Sequence, residues 1–332
     1  MKNITPIPLL KELQVNAKAK IPSMIWGPPG VGKSQIVYSL ARLMNATVFE
    51  VRANLFDPVD VRGGLKVVEQ ANGTYKTCYG VPEDYPGYDH EGLVILLIDE
   101  LTTAPKATQN ALLQLLTDDK IGTYRLPKNV IKIACGNRAK DRAAVQEMPT
   151  PVKTRFAHYE LAANIDDWCA WAVSANIDPS ITGFLRYRPN LLHKIDAAEN
   201  ASPTPRTWEM LNKKLPFMED SFYGAASLIG DGPAGEYVAY KTILQDLPDL
   251  DELEKEPTKT KVPEDVSLLY AIAGALASRV KVSNFASLMK YVARMPAEFQ
   301  VVTIRDMLSK EHRLAAEQPF TDWTVKNADV LL

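Results

Sequence analysis

Eight consecutive residues early in the chain have the types and spacing of a phosphate-binding loop. They are Gly27, Pro28, Pro29, Gly30, Val31, Gly32, Lys33 and Ser34. A glycine, four further residues and then Gly-Lys-Ser is the spacing at which backbone N–H groups surround a phosphate. We predict that Lys33 reaches the β- and γ-phosphates of ATP and that the Ser34 hydroxyl coordinates Mg²⁺. A Gly/Pro turn with a chance lysine is disfavoured, because an apolar strand pattern precedes the loop and a helical pattern follows it.

Two carboxylates end a continuous apolar run farther along the chain. Residues 92–98 are apolar, and Asp99-Glu100 follows them. Such a run is typical of a central parallel strand buried on both faces, and acids at its end are costly unless they face a cation or water. We predict that Asp99 holds Mg²⁺ through its hydration shell and that Glu100 is the general base that polarises the attacking water. An acidic helix cap after a strand is the alternative interpretation.

A third polar position ends another apolar run. Residues 130–135 predict a buried strand, and Gly136-Asn137 follows it. Ligands of open parallel sheets bind at the carboxyl ends of the strands, where the phosphate loop and Asp99-Glu100 are also expected. We therefore predict that Asn137 orients the attacking water or the γ-phosphate. An ordinary turn asparagine is the alternative.

The elements that must position these residues alternate between strand and helix up to about residue 163. The predicted strands cover residues 22–26, 47–52, 92–98, 130–135 and 157–161, and helices are predicted at 3–20, 35–44, 107–117 and 138–148. Thr103 is expected to cap the helix at 107–117, and the prolines at 149 and 151 are expected to end the one at 138–148. Asn72-Gly73 predicts a hairpin between residues 65–69 and 74–77, and residues 118–126 predict a second one. Both hairpins interrupt the α/β pattern and are interpreted as insertions.

The pattern becomes helical from Asp166 onwards. Helical segments are predicted at residues 166–172, 178–185, 190–197, 203–211, 266–289 and 299–314. The acidic stretch at 246–256 is expected to be a solvated linker or an exposed face. The predicted fold class is therefore α/β, with a parallel five-stranded sheet and inserted β-hairpins, followed by an α-helical lid and C-terminal helices. The predicted domains are an α/β nucleotide-binding domain over residues 1–163 and a helical part over 164–332.

Composition limits the classes of partner. The chain has 332 residues with a formal net charge of −2, so no global basic excess favours nucleic acid. Its three cysteines (Cys78, Cys135 and Cys169) lack the paired spacing of a metal site and are expected to be buried, reduced thiols. No apolar run approaches the length of a membrane span, and no leader pattern is present, so we expect a cytoplasmic protein without a membrane partner.

With these motifs in place, the chain resembles AAA+ ATPases of the MoxR type, in particular a bacterial and phage-associated subgroup. Residues 27–34 resemble Walker A, residues 96–100 resemble Walker B, and residues 99–113 are similar to the stretch that follows Walker B in MoxR proteins. Residues 134–137, which end in Asn137, fit sensor 1. The two hairpins fall where this family has a hairpin inserted in its second helix and a hairpin before sensor 1. The resemblance covers about residues 20–215. Trp26 departs from the family as a bulky residue directly before the loop.

The resemblance implies a ring, commonly a hexamer, with ATP sites between subunits. Lys153-Thr154-Arg155-Phe156 resembles the motif whose arginine is the finger, so Arg155 is expected to reach the neighbouring subunit's site. Pro205-Arg206 fits sensor 2 in the helical lid, which implies that Arg206 senses the phosphate within its own chain. Arg138 and Arg142 are rival candidates for contacts to the neighbour, and a surface ion pair is the alternative role of Arg155.

These expectations favour a ring ATPase that remodels a protein partner, with the inserted hairpins carrying motion to the substrate. Family members often act with a partner that contains a von Willebrand factor A domain, so such a partner is expected here. A nucleic-acid motor or loader on the same core is the alternative. Its hairpins should carry basic and aromatic residues. The two hairpins carry such residues together with acids: Lys66, Tyr75 and Lys76 with Glu69 in the first, and Lys120, Tyr124, Arg125 and Lys128 with Asp118 and Asp119 in the second. Their composition therefore does not decide between the two functions. A switch that hydrolyses ATP slowly is a third hypothesis, which the complete set of active-site residues disfavours.

Overall fold

The computed structural model describes residues 2–121, 124–141, 145–219 and 221–327, except for the side chain of Lys140. The chain divides into two compact units, one up to Ala162 and the other from Ala163 onwards. The first unit contains the sheet, and the second contains helices.

A six-stranded sheet, parallel throughout, forms the centre of the first unit. Labelled in chain order, its strands are β1 (Asn3–Ile4), β2 (Ser23–Trp26), β3 (Ala46–Arg52), β6 (Leu93–Asp99), β9 (Val130–Gly136) and β10 (Ala157–Leu161), in the spatial order β1-β10-β2-β9-β6-β3. Strand β6 lies between β9 and β3, and its residues 94–98 are fully buried, as its apolar run requires. The predicted α/β fold class is confirmed, with one strand more than expected.

The additional strand, β1, takes the place of the start of the predicted leading helix. Helix α1 spans Pro6–Ala19, and the prediction that it begins at residue 3 is wrong. Thr5 precedes Pro6 and is extended (φ −90°, ψ 164°), because a residue before proline disfavours the helical region. Pro6 and Pro8 lie in the first turn, where the helix needs no N–H donors.

Three more helices lie in the described part of the first unit. They are α2 (Lys33–Met44), α3 (Lys106–Asp118) and α4 (Thr150–Lys153). Helix α2 buries Ile36, Val37 and Leu40, because positions three or four residues apart share one helical face. Helix α3 begins after Pro105, so the prediction that Thr103 caps it is wrong.

The segment between β9 and α4 also differs from expectation. Instead of a helix over residues 138–148, the structure has a 3₁₀ turn at Ala139–Asp141, and residues 145–149 are not helical; residues 142–144 lie outside the described part. The prolines at 149 and 151 do not end a helix but open α4, since proline is tolerated in a first helical turn.

Both predicted hairpins are present. Strands β4 (Leu65–Glu69) and β5 (Tyr75–Tyr79) pair antiparallel, and Gly73 at their turn has φ +77°. The Asn72 side chain accepts a hydrogen bond from the N–H of Thr74 (3.1 Å), which stabilises this turn. Strands β7 (Lys120–Ile121) and β8 (Tyr124–Arg125) pair in the same way, with residues 122–123 outside the described part.

The second unit consists of helices around two buried apolar clusters. They are α5 (Ile165–Ser174), α6 (Pro179–Tyr187), α7 (Pro205–Lys214), α8 (Ser221–Ile229), α9 (Asp231–Ile243), α10 (Leu250–Lys255), α11 (Val266–Arg279), α12 (Val282–Val292), α13 (Ala297–Lys310) and α14 (Gln318–Lys326). The helix expected at residues 190–197 is only a 3₁₀ turn, Pro189–Leu191. The segment expected to be one helix from residue 266 to 289 is two, because Val280 is extended between them.

Candidate nucleotide-binding site

The predicted phosphate loop connects the end of β2 with the start of α2. Gly30 (φ +73°) and Gly32 (φ +101°) occupy the left-handed region, which glycine adopts without steric cost. Gly32 is the N-cap of α2 and has no side chain that could accept from the first-turn N–H groups. A helix N-terminus of this kind presents N–H donors and positive potential to an anion.

Lys33 lies within this loop, and its ammonium group has three hydrogen-bond acceptors. Its Nζ lies 2.9 Å from the carbonyl oxygen of Gly27, 3.2 Å from that of Pro28 and 2.7 Å from Asn137 Oδ1. Burial lowers the pKa of Lys33, and the nearby carboxylates of Glu100 and Asp99 act in the opposite direction. The hydrogen bonds of Lys33 thus fix its ammonium group at the turn of the phosphate loop.

Ser34 and Asp99 meet at the other side of the loop. Ser34 Oγ donates to Asp99 Oδ2 (2.6 Å), and the N–H of Glu100 donates to Asp99 Oδ1 (2.8 Å). A hydroxyl and a carboxylate are the hard oxygen donors that Mg²⁺ prefers, and Mg²⁺ usually keeps several waters. No cluster of three or more His, Cys, Asp or Glu side chains suited to a metal occurs among the described residues. The oxygens of Ser34 and Asp99 are a donor pair that could contribute to holding such an ion.

Glu100 follows Asp99 in an uncommon backbone conformation. Its φ is +53°, a left-handed value that costs energy for a residue with a side chain. Thr103 Oγ1 lies 2.9 Å from the Glu100 carbonyl oxygen and 3.2 Å from its Oε2, and Asn137 Nδ2 lies 3.5 Å from the same Oε2. These contacts orient the Glu100 carboxylate beside Asn137 at the sheet edge.

Thr102 is a residue of this site that sequence reasoning missed. It is buried, and its Oγ1 accepts from the N–H of Asn137 (2.9 Å) and donates to the carbonyl oxygen of Asn137 (3.1 Å). It thereby joins the segment after β6 to the end of β9. The available signal was the pair Thr102-Thr103, one residue after Asp99-Glu100, which helix-start rules assign to capping.

The arginine candidates differ in their surroundings. Arg155 is exposed, and its NH1 donates to the Pro151 carbonyl oxygen (2.9 Å) and to Thr154 Oγ1 (3.3 Å). Within the described ranges no carboxylate forms an ion pair with it. Arg138 instead pairs with Asp141 (2.7 Å) and with Glu160 of its own chain. That pairing disfavours Arg138 as a rival finger, whereas Arg142 lies outside the described residues.

Arg206 belongs to the second unit and is not among the residues that the first unit brings together. It is exposed in the first turn of α7. Thr204 caps that helix by accepting from the N–H of Thr207 (3.2 Å), and the Thr207 hydroxyl accepts in return from the N–H of Thr204 (2.8 Å). The helix start that carries Arg206 is therefore well formed.

Comparison with known families agrees with the geometry of the first unit. Residues 22–156 match the sequence profile of the AAA domain, dynein-related subfamily. The match spans β2 to the residue before β10 and includes every candidate residue described above except Arg206. The first unit therefore has the fold of an AAA+ P-loop core.

Solved structures with a similar chain path include NtrX from Brucella abortus, at 16% identity and a TM-score of 0.41, covering 93% of this chain and 69% of that one. The Holliday junction branch migration motor RuvB from Thermotoga maritima matches at 15% identity and a TM-score of 0.39, covering 87% and 86%. Likenesses at these values support no conclusion about what this chain binds or does. Comparison with curated proteins gave no match. Across the described residues, no helix is both long and apolar enough to cross a membrane.

Proposed function

We propose that the first unit binds ATP with Mg²⁺ and hydrolyses it. The observation that carries this proposal is the convergence of Lys33, Ser34, Asp99, Glu100 and Asn137 at one edge of the sheet. These residues supply a cation for phosphate, oxygen ligands for a divalent ion, and a carboxylate and an amide for an attacking water.

Each side chain has a role that its contacts support. Lys33 and the loop N–H groups would bind the β- and γ-phosphates, and Ser34 and Asp99 would hold a Mg²⁺ ion, Asp99 through the water of its hydration shell. The ion, when bound, neutralises charge that develops on the phosphate oxygens. Glu100 accepts a proton from the attacking water, and Asn137 orients that water or the γ-phosphate.

The surroundings of Arg155 support an assembly in which subunits share sites. Its exposed guanidinium has neutral acceptors at the distances given above, so it is available to a phosphate of an adjacent subunit. We propose a ring, with six subunits as in the resembling family, in which Arg155 completes the neighbour's site and Arg206 senses the phosphate in its own. The free cysteines, two of them buried, fit a reducing compartment, and we propose the cytoplasm.

We further propose that the ring remodels a protein partner, and the hairpin of β4 and β5 supports this. The register places Leu65, Val67, Tyr75 and Tyr79 on one face, together with Glu69 and Thr77. Leu65 and Val67 are each 66% exposed and Tyr75 is 71% exposed. Exposed apolar side chains grouped on one face favour contact with another protein over contact with a phosphate backbone. A protein with a von Willebrand factor A domain is the candidate partner.

The hydrolytic role is tested with Glu100→Gln, which keeps the side-chain volume and removes the base. We expect the variant to bind ATP and remain assembled while its turnover falls at least about a hundredfold, within the range for general-base catalysis. Glu91→Gln, at an exposed acid before β6, is the matched control and should keep the wild-type rate. Turnover of Glu100→Gln at the wild-type rate would remove Glu100 from this role.

The partner is tested by capture from native extract with Glu100→Gln held in ATP, followed by mass spectrometry. Lys33→Ala, which should not hold nucleotide, is the control. ATP-dependent recovery of one protein that survives nuclease treatment supports remodelling. Recovery of nucleic acid, or of proteins that nuclease releases, supports a nucleic-acid motor or loader instead.

A further inference from the structure

His158 forms a hydrogen-bonded bridge between two segments of the first unit. The indole Nε1 of Trp26 donates to His158 Nδ1 (2.9 Å), and His158 Nε2 lies 2.7 Å from the carbonyl oxygen of Lys153. An indole N–H can only donate, so Nδ1 is the acceptor and the ring proton is on Nε2, which donates to Lys153. The two contacts therefore select one neutral tautomer of His158.

The two ends of this bridge have different tasks in the proposed mechanism. Trp26 is the last residue of β2 and directly precedes Gly27, the first residue of the phosphate loop. Lys153 is the last residue of α4 and lies two positions before Arg155. The bridge thus connects the strand end that leads into the phosphate loop with the turn that carries the candidate finger.

Aromatic rings and paired strands surround the bridge. The rings of Trp26 and His158 stack, with centroids 6.0 Å apart and an interplanar angle of 26°. Phe156 contacts His158 edge-on at 6.2 Å, and its side chain is buried. Strands β2 and β10, which carry Trp26 and His158, are paired neighbours in the sheet.

The Arg155 side chain has few contacts of its own that fix its position. Among the described residues, its hydrogen bonds go to Pro151 and Thr154, which belong to the same turn. The position of the guanidinium therefore depends on the backbone of that turn. Within the turn, the Lys153 carbonyl oxygen receives the bond from His158.

We propose that Trp26 and His158 are positioning residues that fix the Arg155 turn relative to the phosphate loop of the same chain. When nucleotide binds or is hydrolysed, movement of the phosphate loop is transmitted through this bridge to the Arg155 turn. The resulting shift of the Arg155 side chain acts on the site of the neighbouring subunit. The inference rests on the proposed function, in which Arg155 acts in trans. It gives a role to Trp26, which otherwise is only a bulky residue before the loop.

The first test uses His158→Phe, which keeps an aromatic ring in the stack and removes both hydrogen bonds. We expect ATP turnover at saturating ATP to fall about tenfold, the effect of a displaced charge-stabilising group. The affinity of the variant for ATP should stay within about twofold of wild type. Tyr159→Phe is the control, since it removes a hydroxyl of the same strand that contacts Asn16 and Glu12 and not the Arg155 turn.

A double-mutant cycle separates positioning from general damage. In an Arg155→Ala background, His158→Phe should cause no further loss of turnover, because its effect passes through Arg155. Independent, multiplicative losses would overturn the proposal. Trp26→Phe removes the indole donor, keeps an aromatic ring beside His158 and undergoes the same cycle. It tests the bridge independently if His158→Phe fails to fold.

Assemblies that mix two variants show whether His158 affects ATP hydrolysis in its own subunit's site or in the neighbour's site. His158→Phe subunits have their own intact Glu100, and Glu100→Gln subunits have an intact Arg155 turn. Mixing the two should give a turnover above the sum of the separate variants, because Glu100→Gln subunits supply a correctly placed Arg155 to their neighbours. Absence of this rescue would show that His158 acts on its own chain's site. These outcomes differ from a failure of the proposed function. In that case the wild-type protein would not hydrolyse ATP, or Arg155→Ala would hydrolyse it at the wild-type rate.

Discussion

Lys33 and Arg155 have side-chain environments that suit different tasks. The Lys33 ammonium is buried among three neutral oxygens. The Arg155 guanidinium is exposed, and its hydrogen bonds to described residues stay within its own turn. A buried cation with fixed acceptors is preorganised for a ligand in its own loop. An exposed one without a carboxylate in the described part of the chain can stabilise an anion of another subunit.

We predict that Arg155→Ala slows ATP hydrolysis. Removal of a finger arginine should lower turnover in the assembled protein by about 10³-fold, because charge on the transferring phosphoryl group loses its partner. ATP affinity of dilute, unassembled subunits should not change. The measurement is steady-state hydrolysis as a function of protein concentration, with Arg42→Ala, at an exposed arginine in the last turn of α2, as the control. A loss of less than about threefold would count against a finger role.

Among the elements, the contact between the end of β9 and the segment after β6 determines where Asn137 lies. A Cβ atom at Gly136 would lie 2.6 Å from Thr102 Cγ2 and 2.8 Å from Met24 Cε. Only glycine therefore lets Thr102 hold both backbone groups of Asn137. The site depends on this close approach as much as on its charged residues.

We expect Gly136→Ala to disturb this contact. The added methyl should reduce the free energy of unfolding by about 1–3 kcal/mol through overpacking, and should weaken ATP binding by displacing Asn137. Gly232→Ala is the matched control, since a Cβ there has no atom within 4 Å, and it should be neutral or slightly stabilising. Urea unfolding and nucleotide titration of both variants provide the measurement. Unchanged ATP binding by Gly136→Ala would contradict the positional role of this contact.

The cap of α11 gives an expectation for the pH dependence of stability. Asp265 accepts from the hydroxyl of Ser267 and from the N–H groups of Ser267 (2.8 Å) and Leu268 (3.3 Å), and these bonds lower the pKa of Asp265. A lowered pKa in the folded state means stability that is present above the ordinary value of 3.8 and is lost as pH falls through the folded pKa.

Asp265→Asn keeps a capping oxygen and removes this ionisation. We expect wild type to exceed the variant in unfolding free energy at neutral pH, with a difference that shrinks as pH falls below about 4. Chemical unfolding between pH 3 and 7 measures it, with Glu264→Gln at the neighbouring exposed acid as the control. A difference that stays constant over this range would contradict the assignment.

At the scale of the whole chain, a buried ion pair joins distant segments of the second unit. Arg186 of α6 lies 2.7 Å from Asp306 of α13, and the side chains are 5% and 2% exposed. Burial raises the pKa of Asp306, and the guanidinium of Arg186 acts against that rise. The pair thus joins helices 120 residues apart at a cost in desolvation.

Asp306→Ala should reduce the free energy of unfolding by about 3–5 kcal/mol, because it leaves the Arg186 charge buried and unpaired. Asp251→Ala breaks the exposed pair with Arg279 in the same unit and should cost at most about 1 kcal/mol. Thermal and urea unfolding of the two variants compare them directly. Equal losses would show that burial does not govern the strength of these pairs.

Local sequence pattern determined the phosphate loop, the central strands, both hairpins and the α/β class. These features depend on residues that are neighbours in the chain, such as the glycines of the loop, the apolar run of β6 and the Asn72-Gly73 turn. The same reasoning placed Asp99-Glu100 and Asn137 at one sheet edge, because parallel strands present their carboxyl ends together.

Tertiary structure decided which groups meet. Strand β1 forms because β10 offers an edge to pair with, and Thr102 contacts Asn137 because β9 lies next to β6. Trp26 and His158 are 132 residues apart in sequence and become partners only through the pairing of β2 with β10. The pairing of Arg138 with Glu160 likewise depends on where β10 lies. A sequence pattern specifies an element and its buried face, but the order of strands in the sheet determines which donor lies within reach of which acceptor.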